Sequence, residues 1–453
     1  MDSPENELDK KLLALVWGEN MSDTIFQRWS QGFEWSPDEK CALVQHAGGP
    51  CAVIAPMQGF LLKNILFKID GNENLPSLTN QDMSNISDAQ RTDFFVDALC
   101  EVLTQFETER WVICKQSLHG KATKNQEQEL LRNEESSSRT EILEDVENLS
   151  LCLFHRSIRL THCTSKEMLK SNIKENISEF YSSFGVVKLL YSIILSKGIN
   201  NVLNEMDNPE MSLVDPIHGH GSQNLINLMI CGQAVSNVFD GDRDVAGLKL
   251  RGITNQVKIG FLTLLEQLRY LKVGNLLKRP VFPIWLVGSE THLSLVYSLD
   301  TTLVAEDTAL QKAHKVFDKF DPEDNGFIPC DLLKDMMEEL ELVCDPEYVK
   351  IMIGNLDPEE LGVVIRTKFF QEFYNNEVAV LQAKPLNFNL LHYNGLTQSS
   401  SDGKVRFRRG TARQIDWQEG CTKSHDSQIE SCLHTRWPGL WISWDDGKAP
   451  SLN

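Results

Sequence analysis

The sequence predicts an α+β fold, because stretches with helical periodicity and stretches with strand character occupy different parts of the chain. One stretch of helical length is the apolar run AVIAPMQGFLLKNILFKI, which directly follows Gly-Gly-Pro-Cys at residues 48–51. Strand character is strongest at residues 282–298, FPIWLVGSETHLSLVYS, and returns at residues 387–397. The chain is therefore expected to bring late strands together with helices from its first half.

Most of the remaining elements are predicted as helices. Ser222 is placed to cap the N-terminus of one of them, SQNLINLMICGQAVSNV, because its hydroxyl can accept from an unpaired backbone N–H. Further helices are expected in the first forty residues, over residues 94–106, twice between about 165 and 206, from about 257 to 271, and over residues 308–378.

Composition narrows the class of protein. The 453 residues carry 64 acidic and 44 basic side chains, a formal net charge of −20, and this balance argues against a nucleic-acid partner. No run of 18 apolar residues predicts a membrane span, and the acidic start MDSPENELDKKLLALVW is not typical of a signal peptide. The eleven cysteines are scattered without a C-x-x-C pair, which excludes zinc ribbons and thioredoxin-like motifs. We expect an intracellular protein, in the nucleus or the cytoplasm, with mostly reduced thiols and no bound cofactor.

Cys51 is the first candidate for a chemically active residue. A cysteine reacts as the thiolate, and its pKa is expected to fall at a helix N-terminus, where unpaired backbone N–H groups point at it. Gly48 and Gly49 leave the backbone bare, so that an extended substrate can lie close. Gln45, six residues upstream, carries a carboxamide able to donate to a developing oxyanion, together with the N–H of Cys51. The alternative, a buried cysteine after a turn, stays open on this stretch alone.

His292 is the preferred partner for this cysteine among the eleven histidines. It lies between two β-rich segments, where a polar side chain at a strand edge can face a cleft, and the order Cys…His is that of papain-like proteases. The alternative is a half-buried strand histidine without a catalytic role. His218 and His220 form an H-x-H pair in a glycine-rich loop, but without further ligands nearby we interpret them as loop residues rather than a metal site.

Several blocks of sequence resemble the MINDY family of deubiquitinases. These blocks are residues 45–56, PIWLVGSETHLSLVYS, and GHGSQNLINL…AVSNVFDGDR. A closer resemblance, to the EF-hand-bearing third member of that family, is seen in SDTIFQRW, DPEDNGFIP and the C-terminal WP…SLN. The resemblance covers nearly the whole chain. It implies a papain-like cysteine isopeptidase that acts on ubiquitin and polyubiquitin, with a preference for lysine-48-linked chains.

The resemblance also implies roles for individual residues. Cys51 corresponds to the family nucleophile, His292 to its general base and Gln45 to its oxyanion-hole residue, with the six-residue spacing between Gln45 and Cys51 intact. A third, orienting residue is not assigned. Asp and Asn are suitable types, and Asn394 lies on the strand expected beside His292.

Two Asp-Pro-Glu loops in the helical region resemble EF-hand loops that have lost their last ligand. The loop that starts at Asp321 has Glu323, Asn325 and Gly326 in the expected pattern, and the second loop starts at Asp357. A calcium-binding loop ends in a bidentate Glu at its twelfth position. Here that position is Leu332 in the first loop and Lys368 in the second. We therefore predict a helical pair kept for packing, with no metal bound.

These interpretations give a domain plan. Residues 1–307 form the first part of a catalytic domain, with residues 120–148 as a disordered acidic insertion; residues 308–378 form an EF-hand-like helical insertion; and residues 379–453 return to the catalytic domain. The leading functional hypothesis is a cysteine-dependent deubiquitinase. The alternatives are a catalytically weak ubiquitin-binding adaptor that docks through the helical pair, and a calcium sensor, which Leu332 and Lys368 disfavour.

Overall fold

The computed structural model describes most of the chain. The described residues are 4–19, 21–70, 73–76, 83–116, 150–245, 247–305, 308–321, 325–378, 386–400, 402–414, 427–437 and 439–453. The predicted acidic insertion at residues 120–148 and the side chain of Glu323 lie outside them. Among the described residues, all ten cysteines carry free thiols.

Helices dominate the first half of the described chain. In chain order they are α1 Pro4–Trp17, α2 Asp23–Trp29, α3 Cys51–Leu66, α4 Asp88–Leu103, α5 Leu151–Ser157, α6 Lys166–Glu175, α7 Ser178–Tyr181, α8 Gly185–Lys197, α9 Ile199–Glu205, α10 Gln223–Cys231, α11 Leu264–Gln267, α12 Asn275–Lys278, α13 Ala309–Phe320, α14 Leu333–Glu339, α15 Pro346–Leu356, α16 Arg366–Phe373 and α17 Gln428–His434. The predicted helix after Gly-Gly-Pro is confirmed and begins at Cys51 itself. The predicted cap is also confirmed, because the Ser222 hydroxyl accepts from the N–H of Leu225 at the start of α10.

The strands are shorter and fall into one large sheet and several pairs. They are β1 Glu34–Trp35, β2 Leu43–Val44, β3 Phe67–Asp70, β4 Glu73–Pro76, β5 Trp111–Gln116, β6 Ile158–Cys163, β7 Arg243–Val245, β8 Leu248–Leu250, β9 Gly260–Thr263, β10 Ile284–Gly288, β11 Leu293–Tyr297, β12 Phe327–Pro329, β13 Val363–Ile365, β14 Asn387–Tyr393, β15 Arg408–Gln414 and β16 Leu440–Trp444. The strands predicted at residues 282–298 and 387–397 are confirmed as β10, β11 and β14.

The large sheet joins strands that are far apart in sequence. Its order is β16-β15-β14-β11-β10-β9, antiparallel throughout except for the parallel pair β9 and β10. β10 and β11 form a hairpin, and Leu295 of β11 lies opposite Tyr393 of β14. The expected pairing of the strand after His292 with a strand near residue 390 is therefore confirmed, although residues 308–378 lie between the two in sequence.

Both faces of the sheet are buried. On one face Leu286 and Leu295 join the main core, which includes most of α3, and on the other face Trp285 joins a second core that α17 covers. Gly59 lets α3 approach the sheet closely, because an added Cβ there would lie 2.8 Å from a side-chain carbon of Ile259. The N-terminus of α3 is thereby held against the strands that carry the later candidate residues.

The helix predicted from about residue 257 to 271 is wrong. β9 occupies its centre, is buried on both faces and pairs with β10. Only the short helix α11 follows, started by the Thr263 hydroxyl, which accepts from the N–H of Leu265. A strand buried on both faces has an almost continuous apolar sequence, so its pattern resembles that of a buried helix.

Residues 308–378 form two helix–loop–helix units, built from α13 to α16. The loops are joined by the short antiparallel pair of β12 and β13, in which Ile328 lies opposite Val364. The units share a core of their own, with Phe317 and Phe369 fully buried in it. Among the described residues, no single helix is long and apolar enough to span a membrane. Helices α8 and α9 meet these criteria only when taken together, and they are bent by 86° relative to each other.

Candidate active site

Cys51 is the first residue of α3 and lies in the buried interior of the site. Pro50 precedes it, and Gly49 before that has φ +125°, a conformation that favours glycine. A Cβ on Gly49 would also lie 2.7 Å from the carbonyl oxygen of Gly219 and 2.9 Å from the indole nitrogen of Trp29. The glycine thus allows the tight turn that places the cysteine at the helix N-terminus. The Cys51 side chain contacts the carbonyl oxygen of Gly49, with Sγ 3.7 Å from it.

His292 ends the turn between β10 and β11 and is held by Asn394. His292 Nε2 lies 3.0 Å from Asn394 Oδ1, while His292 Nδ1 is buried and has no hydrogen-bond partner among the described residues. The Asn394 amide is itself oriented, because Oδ1 accepts from the N–H of Leu396 at 3.0 Å and Nδ2 donates to the carbonyl of Ser451 at 3.1 Å. An acceptor therefore faces Nε2, so Nε2 carries the proton and Nδ1 keeps its lone pair.

The structure brings Cys51 and His292 to the same place. The backbone N–H of Leu293, the residue after His292, is among the groups that lower the pKa of the Cys51 thiol. Cys51 and His292 are both almost fully buried, with 4% and 5% of their surfaces exposed. Two of the predicted residues are thus both buried in the region between the start of α3 and the start of β11.

Gln45 is buried beside Asn394. Its backbone N–H donates to the carbonyl of Gly395 at 2.8 Å, and its carboxamide Nε2 donates to the carbonyl of Ala47 at 2.7 Å. In the part of the chain that the structure describes, the second N–H of the carboxamide has no acceptor. The backbone pairing with the segment after Asn394 puts Gln45 in the same cluster as the other predicted residues.

Residues that the sequence analysis did not single out fix the strand before Gln45. Gln58 of α3 accepts from the N–H of Leu43 at 2.8 Å and donates to the carbonyl of Cys41 at 2.8 Å. The hydroxyl of Tyr393 donates to the carbonyl of Leu43 at 2.6 Å. These bonds connect the segment to both α3 and β14, so Gln45 is held relative to Cys51 and Asn394.

Burial sets the charge state of the resting pair. It raises the pKa of the Cys51 thiol to about 11, and the nearby backbone N–H groups oppose this rise without cancelling it. It also lowers the pKa of His292 to about 4, with the Asn394 hydrogen bond acting in the opposite direction. The expectation of a lowered cysteine pKa is therefore wrong for this state, because desolvation outweighs the helix N-terminus. At neutral pH the pair is a thiol and a neutral imidazole.

The loop with the H-x-H pair covers the start of α3. A Cβ on Gly221 would lie 2.2 Å from the Cβ of Ala52, so the loop and the helix are in direct contact. The rings of His218 and His220 lie 6.3 Å apart and nearly parallel, and His218 pairs with Asp215 at 3.3 Å. Among the described residues, no group of three or more His, Cys, Asp or Glu side chains is arranged to hold a metal ion.

The first loop of the helical pair holds a guanidinium instead. Asp321 is 4% exposed, and its two carboxylate oxygens accept from the N–H groups of Asn325 and Gly326 at 2.8 Å each. Arg366, from the second loop, donates to Asp321 Oδ2 at 2.9 Å. Asp357 opens the second loop in the same way and accepts from two backbone N–H groups.

Comparison with known proteins identifies the class and then the family. The family described as "Deubiquitinating enzyme MINDY-3/4, conserved domain" matches residues 14–320. The chain is 43% identical over 462 residues to the ubiquitin carboxyl-terminal hydrolase MINDY-3 of Homo sapiens, and 42% identical over 458 residues to that of Bos taurus. Each match covers 99% of this chain and 100% of the relative, and a Drosophila melanogaster homolog is 35% identical over 98% of the chain and 83% of its own length. No solved structure matches. The protein is a deubiquitinating enzyme, and it belongs to the MINDY-3/4 family.

Proposed function

We propose that this enzyme is a cysteine isopeptidase with a papain-like arrangement of its catalytic residues. The observation that carries the proposal is the pairing of His292 Nε2 with Asn394, which leaves Nδ1 free to act as a base toward Cys51. A cysteine at the start of a helix that packs on a sheet, with the histidine just before β11 and the asparagine just after the neighbouring strand β14, supports the papain-like comparison. Cys51 is the nucleophile, His292 the general base and acid, and Asn394 the orienting residue.

The reaction is acyl transfer through a thioester. His292 Nδ1 takes the Cys51 proton as sulfur attacks the carbonyl carbon of the isopeptide bond, and the imidazolium then gives that proton to the leaving lysine amine as the C–N bond breaks. A water molecule, deprotonated by the same imidazole, attacks the thioester and releases the ubiquitin carboxyl group and the thiol. The imidazolium exists only during the reaction, so the hydrogen bond from Nε2 to Asn394 is stronger in the transition state than at rest.

Gln45 and the N–H of Cys51 are the proposed oxyanion donors. The buried carboxamide of Gln45 has one N–H on Ala47 and a second available for the developing negative charge. Donors in a site closed to water stabilise such charge strongly, because no reorganisation is needed when the charge forms.

The proposed substrate is polyubiquitin, preferably lysine-48-linked. The names of the relatives as ubiquitin carboxyl-terminal hydrolases support ubiquitin, and the linkage preference rests on the family resemblance alone. The bare backbone at Gly48, where an added Cβ would meet nothing within 4 Å, suits a substrate tail that ends in small residues. The scattered free cysteines support an enzyme of the nucleus or the cytoplasm, which fluorescence imaging of the tagged chain would test.

The helical pair is proposed to be EF-hand-like and independent of calcium. Two helix–loop–helix units joined by a short strand pair are the arrangement of paired EF-hands, and the residues at the start of both loops match it. Arg366 places a positive charge on Asp321, where a calcium ion would need that carboxylate. The pair then acts as a fixed structural insertion.

A ubiquitin-binding adaptor of low activity is the second candidate. It is favoured by the neutral resting pair, since the pKa of Cys51 is raised to about 11 and a thiol is a poor nucleophile. Exposed apolar side chains on the helical pair, Ile351 and Leu361 at 57% and 65%, would serve its docking.

One experiment separates the two. The purified protein is incubated with ubiquitin chains of defined linkage, and monoubiquitin is followed by gel. Cys51→Ala should abolish cleavage without unfolding the protein, and His292→Ala should cost nearly as much because the two residues act as a unit. Cys152→Ala, at an exposed cysteine, is the matched control and should cleave normally. Normal turnover by the Cys51 variant would remove the proposed nucleophile, and binding without cleavage by the unchanged protein would favour the adaptor.

A further inference from the structure

Residues 451–453 contact Asn394 on one side and the turn before His292 on the other. The segment, here called the 451–453 segment, folds back on itself, because the Ser451 hydroxyl donates to the carbonyl of Asn453 at 2.6 Å and accepts from its N–H at 3.1 Å. Leu452 between them is 1% exposed and belongs to the core on the second face of the sheet. The segment is thus anchored by its apolar residue and turned by its serine.

The first contact is made by the Ser451 backbone. Its carbonyl accepts from Asn394 Nδ2 at 3.1 Å. Since the other end of that amide faces His292 Nε2, the carbonyl opposes a rotation that would exchange oxygen and nitrogen. An exchanged amide would present a donor to Nε2 and would place the proton of the imidazole on Nδ1, where it could not accept from a thiol.

The second contact is made by the Asn453 side chain. Its Oδ1 accepts from the hydroxyl of Ser289 and, at 3.3 Å, from the hydroxyl of Thr291. Ser289 Oγ in turn accepts from the N–H of His292 at 3.0 Å. Asn453 therefore holds the turn from which the histidine enters β11.

We propose that the 451–453 segment positions the catalytic histidine, through the Asn394 amide on one side and the turn before His292 on the other. The inference rests on the proposed cysteine mechanism. Asn453 and Ser451 are positioning residues, because they act through Asn394 and the turn before His292. Their contribution is the alignment of the imidazole, which affects the chemical step more than substrate binding.

The test compares kinetic constants of single variants on a fluorogenic ubiquitin substrate. Asn453→Ala removes the acceptor and should lower kcat about tenfold with KM unchanged. This loss is smaller than the roughly 10²-fold decrease in rate that a 1 Å misplacement can cause. Asn453→Asp keeps an acceptor oxygen at the same place and should recover most of the loss. Ser451→Ala removes the hydroxyl that turns the segment and should resemble Asn453→Ala. Lys448→Ala, at an exposed lysine three residues upstream, is the control and should match the unmodified enzyme.

The outcomes are separable. Thermal unfolding of each variant shows whether the fold is retained, and a loss of kcat in a variant that unfolds at the unmodified temperature supports positioning. Unchanged kcat in Asn453→Ala and Ser451→Ala, with an active and Cys51-dependent unmodified enzyme, would overturn the positioning role and leave the mechanism intact. An equal loss in the Asn453→Asp variant would also overturn it, because the acceptor is then not what matters. Cleavage that survives Cys51→Ala would instead refute the proposed function on which this inference rests.

Discussion

Asn394→Ala should slow the chemical step while leaving the fold and substrate binding in place. The substitution removes an acceptor 3.0 Å from His292 Nε2, and this bond becomes charge-assisted when the imidazolium forms. Hydrogen bonds to charged groups contribute about 1.5–3 kcal/mol, so kcat should fall by about 10- to 150-fold. The loss of the bond to the Ser451 carbonyl adds freedom to the segment but touches no group that binds substrate.

The pH profile gives a second, signed readout. Catalysis needs a neutral imidazole, and the Asn394 hydrogen bond raises the pKa of His292, which burial lowers to about 4. Removing that bond in Asn394→Ala lowers the pKa of His292 further. The pH at which kcat/KM decreases on the acid side should therefore stay the same or move lower. Asn394→Asp places a carboxylate beside the ring, which raises the pKa, so its acid limb should move to higher pH.

The assay is kcat and KM on a fluorogenic ubiquitin substrate from pH 4 to 9, with Asn389→Ala as the control. Asn389 lies on β14, five residues before Asn394, and is exposed, and its side-chain oxygen accepts from the hydroxyl of Thr411. It should behave as the unmodified enzyme. An Asn394→Ala variant with normal kcat, or an Asp variant whose acid limb moves downward, would refute the assignment of Asn394 as the orienting residue.

Four further outcomes are expected. Gln45→Ala should reduce kcat by about 10²–10³ and keep KM, and Gln45→Glu should be at least as slow because a carboxylate repels the oxyanion; unchanged kinetics for both would make this residue structural. Calcium at micromolar concentration should not bind in calorimetry, because Arg366 pairs with Asp321. The rate of cleavage should be the same with calcium as with a chelator. Tight calcium binding with a matching change in rate would contradict this. Residues 120–148 should be dispensable for catalysis, so their deletion should leave cleavage intact, and limited proteolysis should cut there first. Loss of all activity on deletion would contradict this. Burial lowers the pKa of His392 to about 3 in the folded state, well below its value of about 6.5 in the unfolded chain. The free energy of unfolding should therefore decrease as pH falls below about 6.5, by up to about 1.4 kcal/mol per pH unit from this histidine. Urea unfolding at about pH 7 and about pH 5 should show a smaller decrease for His392→Phe than for the unmodified protein.

The position of Cys51 at a helix start, the place of His292 beside a strand, and the strand character of β14 were predictable, because each leaves a local mark in the sequence. Gly-Gly-Pro before an apolar run marks the start of α3, and the β-rich segments around His292 mark a hairpin. Pairing of β11 with β14 followed from the strand character that returns after the helical region. The helix start, the hairpin and the strand character of β14 depend on neighbours along the chain, which a single sequence displays.

The parts that could not be predicted depend on contacts across the fold. The pKa of Cys51 follows from how deeply α3 is buried, which no local pattern reports. Asn394 was one of several suitable residues until β14 placed it beside His292. Gln58 sits among apolar residues of α3 and gave no sign that it would hold the strand before the site. β9 was mistaken for a helix because burial on both faces removes the alternation that reveals a strand.

The pairing of β11 with β14 has a consequence for when the enzyme becomes active. His292 and Asn394 are 102 residues apart, and the helical insertion lies between their strands. Lengthening a loop adds little to the free energy of closing it, about 0.6 kcal/mol per doubling, but such long-range pairing forms slowly. At a synthesis rate of roughly 5–20 residues per second, Asn394 leaves the ribosome about 5–20 s after His292. On the proposed cysteine mechanism, a nascent chain therefore carries its thiol and its imidazole well before it can align them, and its proteolytic activity is withheld until the late strands have joined the sheet.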